Sequence, residues 1–283
     1  MPNIDGVVRC DDDGLYLPEI KAHSLEKIAL HNRYAARFAS AMHRKWPQLA
    51  YIGLYAGAGR ALVVDKRSQQ EIVETSALAV LRQERPFTHY VYVDSDERCS
   101  NALRDRIAAL HSSATVTVLQ CDVNESVPSV RSSLPRFTKT HGLLSFCFVD
   151  PFDLQLRFST IKALSDLKID FLVLLMLGVD ARRNLRGYYD PTSTRIADCF
   201  DCPDWRDEHP KGSRGVVKFL SRKFDEAMGR LGYLTAKDAH HPVTVHGMGV
   251  LQYFLAFYSK DQLGLRFWQD CRKELSPQLG LGI

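Results

Sequence analysis

The sequence predicts an α/β fold, a mostly parallel sheet with helices between its strands and an antiparallel hairpin at the carboxyl-terminal edge. Three observations predict it. Four apolar segments, YIGLYAGAGR (51–60), HYVYVDSDE (89–97), VLQCDVNE (118–125) and LLSFCFVDPF (143–152), each end abruptly in glycine or aspartate, as buried parallel strands do. Stretches with helical spacing lie between them. Near the end, PVTVHGMGVLQYFLAFYS reads as two strands joined by a tight Gly-Met-Gly turn. Ligands of open α/β sheets sit at the carboxyl ends of the strands, so Gly57, Asp94, Asp122 and Asp150 are expected to line one site.

The elements follow in order. After a polar leader (1–22), apolar residues at Leu25, Ile28, Tyr34, Ala35, Phe38 and Met42 predict a helix over about 23–45, with Ser24 as N-cap. Strand one is AYIGLY. Residues 60–74 read as a loop or small hairpin, and 75–84 as a helix capped by Thr75 or Ser76. Strand two, HYVYVD, leads into a helix over 97–110; strand three, ATVTVLQC, leads into a helical region rich in Ser, Pro and Arg over 125–140. Strand four is LLSFCFVD, followed by a helix over 160–167 and by strand five, IDFLVLLML. The polar segment 178–213 is too long for an ordinary connection and is expected to be a lid or insertion. A helix over 214–230 precedes the hairpin. The whole of 23–283 reads as one domain.

Composition bounds the function. At 283 residues with 45% hydrophobic content, the chain can bury one large core. Its 37 basic and 33 acidic residues give a net charge of +4, too near balance to argue for nucleic acid or membrane by itself. Seven cysteines without a disulfide spacing fit a reduced cytoplasm. The longest apolar stretch, FLVLLMLGV, is too short to span a bilayer, and the amino end lacks the pattern of a signal peptide.

Gly57 and Gly59 would let the backbone turn sharply after strand one. A dinucleotide fingerprint needs a third glycine where this chain has Leu62, preceded by Arg60, so NAD and FAD are disfavoured; no Gly-Lys-Ser/Thr follows for a phosphate loop. A nucleoside without pyrophosphate fits better. Asp94, with Ser95, stands where a carboxylate accepts ribose hydroxyls. Asp122, with Val123, stands where one accepts an adenine amine, while Tyr55 and Ala56 enter the glycine turn. Turn, ribose acid and adenine acid in this order describe S-adenosyl-L-methionine in a Rossmann-like methyltransferase. Helix capping explains each acid taken alone.

YIGLYAGAGR, FTHYVYVDSDE, CFVDPF, GVDARRN and LQYFLAFYSKDQLGLRFW together resemble the three-Cys-motif partner proteins, a prokaryotic group, over about residues 20–275. The resemblance implies a class I methyltransferase core and association with a separate protein whose cysteine triplet is that of radical-SAM enzymes. This sequence departs from the pattern in three places. Gly53 stands where the family's first motif has an acid that helps hold the amino group of the cofactor's methionine part, a role Asp65, Glu71 or Glu74 could take over. Thr75-Ser76-Ala77 replaces Gly-Ser-Pro, and Asp153 ends VDPFD where the family has glycine.

Asp150-Pro151-Phe152 resembles the Asp-Pro-Pro-Tyr/Phe motif of amino methyltransferases, in which the carboxylate accepts from an exocyclic amine and the aromatic ring stacks on the base; the bland alternative packs Phe152 in the core. Arg182, Arg183 and Arg186 could grip phosphates or a nucleic-acid backbone, or pair with Asp180 and Asp190 in a solvated loop. Tyr188 and Tyr189 could add stacking surface. Cys199 and Cys202, with His209, would suit half of a zinc site, but no second pair follows and no metal is expected. His240, His241 and His246 read as structural. The leading expectation is a methyltransferase acting on a nucleobase or RNA amine. The alternatives are a non-catalytic subunit that keeps the fold, and a nucleic-acid-binding module.

Overall fold

The computed structural model describes residues 6–64, 70–110, 114–136, 142–209, 215–234, 240–245 and 248–279, the side chains of 276–279 excepted. Asp65 and His246 lie outside these residues. A seven-stranded sheet forms the centre. Its strands are β3 (Gln48–Leu54), β6 (His89–Asp94), β7 (Thr115–Gln120), β8 (Leu143–Val149), β9 (Ile169–Leu175), β10 (His240–Val245) and β11 (Val250–Tyr258). They run in the order β10-β11-β9-β8-β3-β6-β7. Every neighbouring pair from β9 to β7 is parallel, and β11 is antiparallel to both β9 and β10. This is the expected mostly parallel α/β sheet with its antiparallel carboxyl-terminal pair.

Alternation along each strand divides the core into two layers. In β3, Ala50, Ile52 and Leu54 face one side with Val91, Val93, Cys147 and Val149, while Leu49 and Tyr51 face the other with Tyr90, Tyr92, Phe146 and Phe148. Both faces are buried, which is why the strands read as continuous apolar runs. The second face is covered by α1 (Ser24–Met42), α2 (Ser76–Ala79), α3 (Glu97–Ala109) and α10 (Gln262–Leu279). The first is covered by α4 (Val127–Ser133), α5 (Phe158–Leu164), α7 (Arg195–Phe200), α8 (Trp205–Glu208) and α9 (Val216–Arg230), with α6 (Leu185–Tyr188) beside them. The 178–213 segment thus carries α6, α7 and α8, structure of its own, after a π-turn over Leu177–Ala181.

The small hairpin expected over 60–74 is present as β4 (Arg60–Val63) paired antiparallel with β5 (Glu71–Glu74). Beyond expectation, the leader adds β1 (Arg9–Cys10) and β2 (Glu19–Ile20) to it in a second sheet of order β1-β5-β4-β2. Buried Arg106 of α3 fastens the leader to the glycine turn: its guanidinium donates to Asp13 at 2.7 and 2.8 Å, to Tyr16 O at 3.0 Å and to Ala58 O at 2.7 Å. Helix α10 was unmarked in the sequence reading, yet Trp268 and Cys271 are fully buried against α1 and β11. Ser24, expected as N-cap, is the first residue of α1, and His23 at the N-cap position makes no side-chain cap bond, whereas Asp96 caps α3 through Arg98 N and Cys99 N.

The chain leaves β3 for β6 and β7 on one side, then crosses to β8 and β9 on the other, so the topological switch point falls at the carboxyl end of β3. A crevice is expected there.

Candidate active site

Backbone bonds gather the strand ends at that point: Ala56 N donates to Val93 O at 3.0 Å, Cys121 N to Asp94 O at 3.2 Å and Asp150 N to Leu54 O at 3.1 Å. The turn between them is unusual at three positions. Gly57 and Gly59 have φ of +67° and +83°, and Tyr55, a bulky residue, has φ of +61°. A Cβ on Gly57 would meet nothing within 4 Å, so space stands open in front of it; one on Gly59 would come within 2.8 Å of Leu78 Cγ and 2.9 Å of Leu103 Cδ1. Gly57 therefore faces open space, and Gly59 is a packing glycine.

Asp94 lies beside this turn. Its Oδ2 accepts from Gly57 N at 2.8 Å and its Oδ1 from Asp96 N at 2.9 Å. Burial pushes its carboxyl above the usual range, and the two backbone N–H groups partly oppose that. Asp94 is 8% exposed and stands behind the cavity walls, so its first task is to shape the turn.

Two cavities open at the carboxyl edge and share Tyr55. The larger, about 420 Å³, is lined by Ser95, Asp122, Val123, Asn124, residues 153–157, Thr194, Arg195 and Asp198. Asn124 joins its two walls: Oδ1 accepts from Arg157 N at 2.7 Å and from Thr160 Oγ1 at 3.1 Å, and Nδ2 donates to Gln155 O at 3.0 Å. Buried Asp180 holds the same loop by accepting from Leu154 N at 2.8 Å, and it accepts from Tyr188 Oη at 2.8 and 2.9 Å and from Asn184 Nδ2. Asp122 caps its own 3-10 turn through Asn124 N at 2.7 Å and keeps its carboxylate exposed to the cavity.

The smaller cavity, about 60 Å³, is lined by Tyr55, Ala56, Gly57, Asp150 and Phe152, together with Ser24, Lys27 and Ile28 of α1 and Thr75 and Ser76 before and in α2. Lys27 Nζ lies 2.8 and 2.6 Å from the two carboxylate oxygens of Asp150, and these side chains are only 14% and 20% exposed. Phe152 is 73% exposed, so the alternative that packs it in the core does not hold. Tyr55 Oη and Thr75 Oγ1 are buried and make no hydrogen bond among the described residues. Burial raises the Tyr55 phenol well above the ordinary tyrosine range, with Asp122 adding to it.

The structure thus brings Tyr55, Ala56, Gly57, Ser95, Asp122, Val123, Asp150 and Phe152 to the two cavities, with Asp94 and Gly59 directly behind. Arg182, Arg183 and Arg186 are exposed beyond β9, line neither cavity, and have no ion pair among the described residues. The cationic residues lining the cavities are instead Lys27, Arg157 and Arg195, which sequence reasoning passed over. Gly53 is closed in: a Cβ there would come within 3.0 Å of Tyr92 Cδ1 and 3.3 Å of Tyr51 Cε1. Neither described substitute lines either cavity: Glu71 pairs with Arg9, and Glu74 pairs with Arg82 through one oxygen while its other oxygen is buried without a hydrogen bond among the described residues. Cys199 and Cys202 are buried in the apolar core, His209 bonds to Tyr189 Oη at 2.9 Å, and no group of three metal-ligating side chains occurs among the described residues. Among those residues no helix is long and apolar enough to cross a membrane.

No protein-family description and no curated protein matches the chain in sequence. In three dimensions it is similar to a protein from Legionella pneumophila, with a TM-score of 0.52 and 11% identity over 88% of this chain and 90% of that one. The O-methyltransferase from Bacillus cereus in complex with SAH superposes with a TM-score of 0.44 at 10% identity, over 84% of this chain and 87% of the other. At 11% identity the likeness to the Legionella pneumophila protein bears on the fold alone.

Proposed function

We propose that the chain is an S-adenosyl-L-methionine-dependent methyltransferase whose cofactor spans the two cavities at Tyr55. The observation that carries this reading is the meeting of a nucleoside-sized polar cavity with a small, largely apolar one that holds the Lys27–Asp150 pair, at the glycine turn that Asp94 holds from 2.8 Å. The residues fit an adenosyl group. Asp122 and Ser95 offer acceptors for an amine and for hydroxyls, the space before Gly57 admits a ligand against the backbone, and Asp94 retains lone pairs beyond the two it commits. When bound, the cofactor supplies an electrophilic methyl carbon. Asp150, fixed in place by Lys27, and the exposed ring of Phe152 would orient the acceptor, so the protein's part is chiefly positioning. A nucleobase or RNA amine is the acceptor in this reading. Arg182, Arg183 and Arg186 would hold its backbone, and the resemblance to the three-Cys-motif partner proteins adds a separate radical-SAM-like protein as collaborator.

A second reading, a non-catalytic subunit that keeps the fold, is favoured by Gly53, whose place is filled by Tyr51 and Tyr92. Thermal unfolding separates the two. A ligand at a hundred times its dissociation constant adds about 2.7 kcal/mol, so SAM and S-adenosylhomocysteine should both raise the midpoint. In the enzymatic reading Phe152→Ala keeps that rise and loses transfer of labelled methyl to an RNA pool; no rise in the wild-type protein leaves the subunit reading.

A further inference from the structure

We propose that Lys27 binds the carboxylate of the cofactor's amino-acid tail, with the Thr75 hydroxyl beside it, so that the methionine end is recognised from α1 and not from β3. The inference rests on the cofactor reading above and concerns one end of that same ligand.

Size assigns the two ends. A cavity of about 60 Å³ is several times the roughly 10–15 Å³ that holds one water, enough for an ammonium-carboxylate head and too little for a nucleoside, for which the 420 Å³ cavity has room. A ligand with a nucleoside at one end and a short zwitterion at the other bridges them past Tyr55.

Charge then assigns the tail's orientation. Among the described residues, Lys27 is the only cation lining the small cavity and Asp150 the only acid. With 14% and 20% exposure their charges are weakly screened, so a ligand carrying one sign alone would leave one of them short of its partner. A zwitterion complements both: its carboxylate meets Lys27, and its ammonium meets one carboxylate oxygen of Asp150, the other being left for the acceptor. Thr75 Oγ1, buried without a hydrogen bond among the described residues, gains an acceptor in the same carboxylate.

The strand cannot do this work. Tyr51 and Tyr92 close Gly53, from which an acid would reach the tail's ammonium, and neither Glu71 nor Glu74 lines the small cavity. Helix α1 is positioned for it. Glu26, one residue before Lys27, is fixed to His241 of β10 at 2.6 Å, which sets the first turn of the helix against the sheet edge.

The test uses two probes on the full chain by titration calorimetry: S-adenosylhomocysteine, which carries the tail, and 5′-methylthioadenosine, which shares the adenosine and thioether but lacks it. Lys27→Met should weaken S-adenosylhomocysteine at least tenfold and change 5′-methylthioadenosine less than twofold. Lys27→Arg should restore most of the difference, and Thr75→Val should weaken S-adenosylhomocysteine alone by several-fold. Binding of 5′-methylthioadenosine shows that the nucleoside cavity of each variant is folded. The proposal is overturned if Lys27→Met leaves S-adenosylhomocysteine unchanged or weakens both probes equally. If the wild-type protein binds neither probe, the cofactor reading itself fails and this inference with it.

Discussion

At the scale of single residues, Gly57 and Gly59 do different work, and stability separates them. Both have positive φ, which costs an L side chain about 1 kcal/mol or more. Only Gly59 also has Leu78 and Leu103 within 3 Å of where a Cβ would stand. Urea unfolding of Gly59→Ala should therefore show a loss of about 2–4 kcal/mol, strain plus overpacking, and Gly57→Ala a loss of about 1–2 kcal/mol, strain alone. Equal losses would mean that the two leucines give way freely. The turn was legible in the sequence because glycine spacing after an apolar run is a local signal. Lys27 was not, because its partner Asp150 is 123 positions away and a lysine between apolar helix residues looks like any solvated one. The φ of Tyr55 left no trace either, since an aromatic residue ordinarily avoids that region.

At the scale of elements, Asp170 in β9 ties three of them together. Tyr34 Oη of α1 donates to it at 2.7 Å, and Ser259, just past β11, bonds to it as well. Burial pushes its carboxyl up to about 6 against those two bonds. A folded-state value above the unfolded one means that the native protein holds the proton more tightly, so this contribution is fully present below about pH 4 and lost as pH rises through 6. From the shift it amounts to about 3 kcal/mol. Asp170→Asn, which cannot ionise, should compare better with the wild type at pH 7.5 than at pH 4.5 in denaturant titrations; a difference independent of pH would show that Asp170 titrates normally. The parallel strands were legible as elements because burial on both faces makes them apolar throughout. Helix α10 carries its buried Leu265, Trp268, Cys271 and Leu275 at helical spacing among seven charged or amide residues over 262–275, the same amphipathic signal as α1, so its pattern is present in the sequence. The strands β1 and β2 span two residues each, too short to show a period.

At the scale of the whole molecule, chain order explains how residues spread over nearly a hundred positions share one edge: parallel strands all deliver their carboxyl ends to the same side. The helices that complete the cavities, α1 before the first of these strands and α7 within the insertion, are placed by tertiary packing alone, and so Lys27 and Arg195 entered the site unannounced. The same edge carries Arg182, Arg183 and Arg186 beyond β9 and the exposed Phe152 beyond β8. With a net charge of only +4, any affinity for a polyanion must come from such a local cluster and not from the overall field. For single strands the logarithm of affinity falls with the logarithm of salt by about 0.7 per neutralised phosphate. Replacing the three arginines by alanine should therefore flatten that slope by about 2 for a single-stranded oligoribonucleotide. The unfolding midpoint should barely move, because the three guanidinium groups are exposed and unpaired among the described residues. Fluorescence anisotropy from 50 to 300 mM salt measures the slope. An unchanged slope would take these arginines out of nucleic-acid recognition while leaving the two cavities, which they do not line, unaffected.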